Sequence, residues 1–553
     1  MDNRVQGRMN RGFKFEERWL LEEECGTVVE EAWGRMDGAI SPMVAISSKI
    51  IHCGAVLEAW GSMRTKPEVA EIKRLKKVLE RLHEGDQNEN TRSEFMAASK
   101  HLDDLLLKQE FYWAQRSRLS WLKLGDKNTK YFHSKASQQR RRSFIQGVQN
   151  SRGVWVDRIE DVAEVAVQYF ENLFSSGTCD RVEDCLNAVK HRLSSDMLNI
   201  LSEEFSADEV KTVLFQIGPT KAPGPNGMNA LFYQKFWHIV GTNITNAVLD
   251  FLNTGVMLPE LNYNHIVLIP KVKSPEKMSN FRPISLCNVM YKIISKMLAN
   301  RLKLILPQLI SPYQSAFVPG RLITDNVLMA YETLHAMHGR KKGKKGDIAL
   351  KLDISKANDR VEWSFLKGMM FKMGFPQCWI DQIMCCVTTS SFSVHINGKA
   401  YGNFKPTRGL RQGDPLSPYL FLLCAEAFTS LLAKEDELGR LYGVSICWLA
   451  PSISHLLFAD VSLVFCQAKQ EEVQVISDVL DLYAVASGQC INFEKSSVYF
   501  SSNTSRVQRD SIRNLLRVRE VEKFESYLGL PMLIGRSKYQ AFSFLKEMVW
   551  KKI

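Results

Sequence analysis

Two aspartates carry the chemistry that this sequence suggests. Asp460 lies in His455-Leu-Leu-Phe-Ala-Asp-Val-Ser-Leu-Val-Phe-Cys466, with Leu456, Leu457 and Phe458 leading in and Leu463, Val464 and Phe465 leading out. A carboxylate at the turn of an apolar hairpin is costly unless water or a cation claims it. Alone, such a turn aspartate is more often solvated than ligating. Asp353 supplies a second carboxylate, in Asp347-Ile-Ala-Leu-Lys-Leu-Asp-Ile354. Ile348, Leu350 and Leu352 alternate with Ala349, Lys351 and Asp353, which predicts a strand with Asp353 near its end. Between the two aspartates, Arg408-Gly-Leu-Arg-Gln-Gly-Asp-Pro-Leu-Ser-Pro-Tyr-Leu-Phe421 reads as a Gly-rich turn entering a Leu-rich helix. Two strand-borne aspartates and a Gly/Gln loop suit phosphoryl transfer with two Mg²⁺ ions roughly 3.5–4 Å apart. Mg²⁺ takes carboxylate, phosphate and water ligands in preference to His or Cys.

From roughly Trp121 to Ile553 the chain resembles the reverse transcriptases of non-LTR retrotransposons, plant long interspersed elements in particular. The motifs that carry the resemblance begin with Trp121-Leu-Lys-Leu-Gly-Asp-Lys-Asn-Thr-Lys-Tyr-Phe-His133, Lys221-Ala-Pro-Gly-Pro-Asn-Gly227 and Asn280-Phe-Arg-Pro-Ile-Ser-Leu286. Tyr313-Gln-Ser-Ala-Phe-Val-Pro-Gly-Arg321, the Asp353 segment, Gln412-Gly413 and Phe458-Ala-Asp460 follow in the family's order. Ser487-Gly-Gln-Cys-Ile-Asn-Phe-Glu-Lys-Ser496 and Tyr527-Leu-Gly-Leu-Pro531 close the series. Each motif alone is a weak signal; the ordered set is specific.

The resemblance implies an α+β right-hand polymerase fold. Fingers and an antiparallel palm sheet would lead into the start of a helical thumb, after a mostly helical N-terminal extension. It implies that Asp353 and Asp460 hold two Mg²⁺ ions, and that Arg282 and Lys271 touch the incoming triphosphate. Gln412 and Gly413 would pack on the nascent base pair, Lys495 would sit near the triphosphate, and Tyr527, Leu528 and Gly529 would grip the primer. The implied partners are an RNA template, a DNA primer and deoxynucleoside triphosphates. The implied reaction is attack of the primer 3′-hydroxyl on the α-phosphorus with release of pyrophosphate. Outside the ordered set, Arg282 and Lys271 read as surface cations, Gly413 as a turn glycine and Lys495 as a loop residue.

Three positions depart from the family pattern. Val461 stands where a second, adjacent aspartate is usual, and Asn358 where an aromatic stacks under the incoming sugar in the nucleotide site. Asn226 replaces the aspartate of Pro-Gly-Pro-Asp-Gly. Valine has no lone pair for Mg²⁺ and removes a negative charge from a site that must offset two dications and a triphosphate. Asn358 offers no flat apolar face. Two readings follow: an RNA-directed DNA polymerase impaired in this copy, or a non-catalytic, nucleic-acid-binding relic of one.

The 553 residues allow three or four structural units. Lys and Arg number 72 against 60 Asp and Glu, a net charge of +12, and the excess is clustered. Arg116, Arg118, Lys123, Lys127, Lys130, Arg140, Arg141 and Arg142 are candidate phosphate contacts. Interleaved aromatics such as Tyr112, Trp113 and Phe132 read better as core-facing than as stacking surfaces. A second cluster, Arg340-Lys-Lys-Gly-Lys-Lys345, reads as an exposed loop before the Asp353 strand. The twelve cysteines show no C-x₂-C spacing, and free thiols in a reducing compartment are expected. No basic-then-apolar signal opens the chain. Leu441 to Ala459 lacks charge, but Gly443, Pro451 and His455 favour buried strands over a membrane span. The expectation is a soluble nuclear or cytoplasmic protein, not secreted, with no membrane partner.

The expected organisation assigns 1–44 to the tail of an endonuclease domain plus linker, and 45–119 to a charged helical linker. In the latter, Leu75, Val78, Leu79 and Leu82 stripe one helix face. A basic N-terminal extension would span 120–213, fingers and palm 214–501, and the primer-grip hairpin with the thumb start 502–553. The resemblance also sets the expectation of a partial reading frame, since family members continue into a zinc-ligand segment.

Overall fold

The computed structural model describes residues 12–34, 41–63, 69–85, 88–117, 129–177, 179–343, 345–447, 449–524, 526–532 and 538–550. Arg118, Lys123, Lys127 and the side chain of Lys130 lie outside the described residues. The fold mixes helices and sheets, with a helical N-terminal region.

The chain divides into two compact units, the first made of 1–171, 204–297 and 389–405 and the second of 172–203, 298–388 and 406–553. These differ from the expected boundaries at two places. Residues 172–203 group with the second unit, where the amides of Thr407 and Arg408 donate to the Phe174 carbonyl at 2.9 and 3.1 Å. The segment 214–501 is divided between the units, because the hairpin after Thr389 pairs in parallel with Tyr263–Pro270.

In the first unit a four-stranded sheet runs in the order Phe281–Leu286, Tyr263–Pro270, Ser391–Ile396, Lys399–Phe404. The N-terminal segment, expected to be a remnant tail, is part of this unit's core. Phe15 is buried, with its ring 5.4 Å from Phe232, 6.4 Å from Phe236 and 5.5 Å from Trp19. Its amide donates to the Gly227 carbonyl at 3.1 Å. Gly227 has φ 75°, and a Cβ there would lie 1.9 Å from the Phe13 carbonyl oxygen, so only glycine fits. The last residue of the Pro-Gly-Pro-Asn-Gly motif thus seats the N-terminal segment.

The striped helix Val69–Glu84 packs on Glu89–Ser117 through Ile72, Leu75 and Leu105, with Leu102 and Leu106 alongside, as its periodicity predicts. Phe132 is buried, in line with core-facing aromatics. One helix, Pro42–Ser62, is long and apolar enough to cross a membrane by length and composition. Met43, Ile46, Ile50, Cys53 and Leu57 on it are buried within the unit.

The second unit is built on a mixed sheet. Its strands are β1 (Asp347–Ser355), β2 (His455–Phe458), β3 (Val461–Gln467), β4 (Cys490–Ile491), β5 (Ser497–Phe500) and β6 (Arg519–Glu520). The order is β2-β3-β1-β5-β6, with β4 pairing to the end of β1. Helices α1 (Ile323–Gly339), α2 (Ser417–Glu437), α3 (Gln470–Ser487) and α4 (Arg506–Leu516) belong to the same unit. Alternation along β1 sends its residues to two faces. Leu352 and Ile354 lie with Phe428 of α2 and Leu480 and Tyr483 of α3. Ala349 joins Leu463, Phe465 and Tyr499 against Leu334 and Met337 of α1 and against Phe524, Tyr527 and Met532. The uncharged stretch before β2 forms a short strand pair, Val444–Ser445 with Ser452–Ile453, and the twelve cysteines are thiols outside any disulfide.

Phe15→Ala is expected to destabilise the first unit by about 3–5 kcal/mol. Thermal melting monitored by circular dichroism reads this directly; a shift within error would show that the N-terminal segment is dispensable.

Candidate active site

The register of three strands sets the site. β2 and β3 are joined by Ala459-Asp460, with Ala459 at φ 52° and Phe458 paired to Val461. β3 pairs antiparallel with β1, and there Val461 stands directly opposite Asp353. The Ile354 amide donates to the Asp460 carbonyl at 3.3 Å, which makes Asp353 and Val461 a non-hydrogen-bonded pair. Pairs of that kind bring side chains closest, on one face of the sheet. Asp460 is exposed at the turn itself. Position 461, one residue past the turn aspartate, is therefore the cross-strand neighbour of Asp353.

Asp353 is held through its backbone: its amide donates to Ser496 Oγ at 3.2 Å, and its carbonyl accepts from the Asn492 amide at 2.8 Å. Lys495 Nζ lies 3.9 Å from Asp353 Oδ2, a long contact from an exposed lysine that contributes little to stability. Val461 is half-buried against the apolar cluster of Ala349, Leu463 and Tyr527. Among the described residues no group of three or more His, Cys, Asp or Glu is placed to hold a metal ion. With an apolar side chain at 461, Asp353 and Asp460 are the two carboxylates that could hold Mg²⁺ here, which would leave its remaining positions to substrate phosphate and water.

The Gly/Gln loop is docked by hydrogen bonds to the turn that follows β1. The Leu410 amide donates to the Asn358 carbonyl at 2.7 Å, and the Gly409 amide to the Val361 carbonyl at 2.8 Å. Asp359 is fully buried and accepts from Gln412 Nε2 at 2.9 Å, which orients the Gln412 side chain. Gly413 is exposed at φ 106°, and Arg411 is buried in an ion pair with Asp414 at 3.0 Å. Asn358 is half-buried in the same turn.

The Tyr527–Leu530 hairpin forms as expected. The Tyr527 amide donates to the Leu530 carbonyl at 2.8 Å, and the Leu530 amide donates back to the Tyr527 carbonyl at 3.0 Å. Leu528 and Gly529 both have positive φ, the type I′ pattern. Tyr527 Oη donates to the buried Asn326 Oδ1 at 2.9 Å. Asn326 Nδ2 in turn donates to the Leu457 carbonyl on β2 at 2.8 Å and to Ser315 Oγ at 3.2 Å. One buried amide thus ties the Tyr527 hairpin to the Asp460 hairpin. Lys351, one pleat from Asp353, donates to the Ser526 carbonyl at 2.9 Å.

The Tyr313–Arg321 motif braces the same hairpin. Leu457 donates to the Tyr313 carbonyl at 2.8 Å, and Ala459 to Gln314 Oε1 at 3.2 Å. The Arg321 guanidinium holds that loop through the carbonyls of Ser311, Gln314, Pro307 and Ile310 at 2.5–3.0 Å. Asn326, Gln314 and Lys351 were not among the expected site residues, since only long-range contacts reveal them.

The remaining candidates lie in the first unit. Arg282 is exposed on its strand opposite Ile269, and the exposed Lys271 donates to the Ser279 carbonyl at 3.2 Å. Arg140, Arg141 and Arg142 are exposed at the end of Thr129–Ser143. Arg116 is engaged within the protein, paired with Glu16 at 2.9 Å and stacked 3.3 Å over the Tyr112 ring. That pairing competes with the expected phosphate contact.

Residues 269–532 match the family model described as reverse transcriptase (RNA-dependent DNA polymerase). The chain is similar to the 149 kDa protein of transposon TX1 from Xenopus laevis, 28% identical over 433 residues, covering 76% of this chain and 31% of that protein. It is similar to a retrovirus-related Pol polyprotein of a type-2 retrotransposable element from Drosophila melanogaster, 24% identical and covering 60% of this chain and 29% of that protein. An uncharacterized mitochondrial protein of Arabidopsis thaliana is 55% identical over 65 residues, which cover 12% of this chain and 53% of that protein. The chain spans about a third of the length of the two transposon relatives.

Asn326→Ala is expected to cost about 1–3 kcal/mol, because the buried Tyr527 hydroxyl loses its acceptor and the Leu457 carbonyl loses one of its two donors, keeping the Ser315 amide. Comparing melting of the Asn326→Ala and Tyr527→Phe variants checks this; an unchanged Asn326→Ala would remove the bridge from the account. His455, fully buried on β2, has its pKa pushed down to about 3 by burial. A depressed histidine contributes stability that is present above about 6.5 and lost as pH falls toward the folded value. The melting temperature should therefore drop more steeply from neutral pH to about pH 4 in the native chain than in His455→Asn; parallel curves would contradict this.

Proposed function

Since residues 269–532 belong to the reverse transcriptase family and the chain is a relative of non-LTR retrotransposon proteins, we propose that it is the polymerase body of such an element with chemistry impaired at one strand position. In this reading the β1–β3 sheet is the palm, and the strand bearing Arg282 and the bend bearing Lys271 belong to the fingers. The Tyr527–Leu530 hairpin holds the primer end. Gln412, oriented by buried Asp359, lies against the nascent base pair. The substrates are an RNA template, a DNA primer and deoxynucleoside triphosphates.

The observation that carries the proposal is the Asp353–Val461 pair. A second carboxylate at 461 would project beside Asp353 on the same face; valine there supplies neither a lone pair nor a negative charge. Asn358 adds a second departure, because its amide cannot serve as an apolar platform under a sugar. The packing of Val461 into the apolar cluster also favours a second reading, in which the chain grips primer–template without extending it.

Primer extension on an RNA template separates the two readings. By analogy with loss of one preorganised electrostatic group, the native chain should extend at least ~10²-fold more slowly than Val461→Asp. Asp353→Asn placed on that variant should abolish the gain. Extension by the native chain at the rate of Val461→Asp would refute the role given to position 461. No extension by either, with salt-sensitive duplex binding retained, would select the non-catalytic reading.

A further inference from the structure

Two basic segments far apart in sequence meet at one corner of the second unit. The first is the loop before β1, in which Lys341, Lys342 and Lys345 are exposed. Two of its carbonyls are held: Asn503 Nδ2 donates to that of Lys345 at 2.7 Å and to that of Gly343 at 3.4 Å. A Cβ on Gly346 would lie 2.2 Å from Thr504 Oγ1, so the loop runs hard against residues 503 and 504. Arg340, at the loop's base, is ion-paired with Asp347 and donates to the Ser445 carbonyl at 2.5 Å.

The second segment is α4, which Ser505 caps immediately after that contact. Ile512 and Leu516 are buried, while Arg506 and Arg513 on the helix flank and Arg517 at its C-cap are all exposed. A spacing of seven residues puts Arg506 and Arg513 within about 20° of one line along the helix, and Arg517 follows at its left-handed C-cap. The counter-charges are few and partly engaged: Asp510 sits in the stripe 3.3 Å from Arg513, and Glu520 is paired with Arg509 at 3.0 Å. Arg509 also donates to the carbonyls of Thr504 and Ser501 at 3.1 and 3.2 Å, which locks the helix to the segment that holds the loop.

We propose that this corner, Lys341, Lys342 and Lys345 with Arg506, Arg513 and Arg517, is a binding surface for the sugar–phosphate backbone of nucleic acid, separate from the catalytic strands. The proposal rests on the nucleic-acid-binding reading above and adds a contact that reading does not contain. Asp347 and Asp353 are at opposite ends of β1, so six residue steps of about 3.3 Å put the corner about 20 Å from Asp353. Clustered exposed cations on a loop and along a helix flank suit phosphates spaced along a strand. The binding is therefore sequence-independent and salt-sensitive.

The test is fluorescence anisotropy of a labelled RNA–DNA primer–template duplex across a potassium chloride series. The native chain is compared with Lys341→Gln/Lys342→Gln/Lys345→Gln and with Arg506→Gln/Arg513→Gln, and melting curves verify the fold of each. Each variant should bind more weakly, with the slope of log affinity against log salt reduced by about one per phosphate-contacting cation removed. Native-like affinity and slope in both folded variants would overturn the corner while leaving the polymerase-body reading in place. No binding of the duplex by the native chain would overturn both. Unchanged duplex binding together with lost binding of poly-glutamate would assign the corner to an acidic protein and overturn the proposal as well.

Discussion

The antiparallel pairing of β3 with β1 is the constraint on which the rest of the second unit depends. One residue of register decides which side chain stands beside Asp353, since a slip by one would turn every side chain of β3 to the other face. That slip is prevented from both sides. Leu463 and Phe465 are committed to the cluster under α1, while Ser462 faces the helices beyond the other side. With the register held, Val461 faces Asp353 and Asp460 stands at the turn.

The polar links around this sheet serve the same end. Gln314 and the Tyr313 carbonyl bond the edge strand β2 and its turn, and the Arg321 guanidinium holds the loop that carries them. Asn326 joins that strand to the Tyr527 hairpin. Buried polar groups of this kind stabilise only when every partner is present, so they specify one arrangement of the two hairpins more than they add net stability. The Gly/Gln loop follows the same principle, with the buried carboxylate of Asp359 orienting Gln412.

Much of this was legible in the sequence where local periodicity reports on burial. The strand around Asp353 and the hairpin around Asp460 appear as the alternation predicts, and of the stripe Leu75, Val78, Leu79 and Leu82 it is Leu75, joined by Ile72, that enters the helix–helix core. What stayed hidden depends on contacts distant in the chain. Asn326 sits in an ordinary amphipathic helix, and nothing local marks its links to Leu457 and Tyr527. The N-terminal aromatics read as a tail because their partners, Phe232 and Phe236, lie some two hundred residues on. Arg116 looked like one cation in a basic run until its pairing with Glu16 set it apart.

Under the proposed function the donor set beside Asp353 lacks one carboxylate of the family pattern, and cation binding in the absence of substrate isolates that difference. Calorimetric titration of the native chain and of Val461→Asp with Mn²⁺ separates metal affinity from every later step of synthesis. The account predicts no saturable binding by the native chain in the millimolar range and a new site in Val461→Asp that disappears when Asp353→Asn is added. Equal, saturable binding by the native chain and Val461→Asp would contradict it, because some other group would then complete the site.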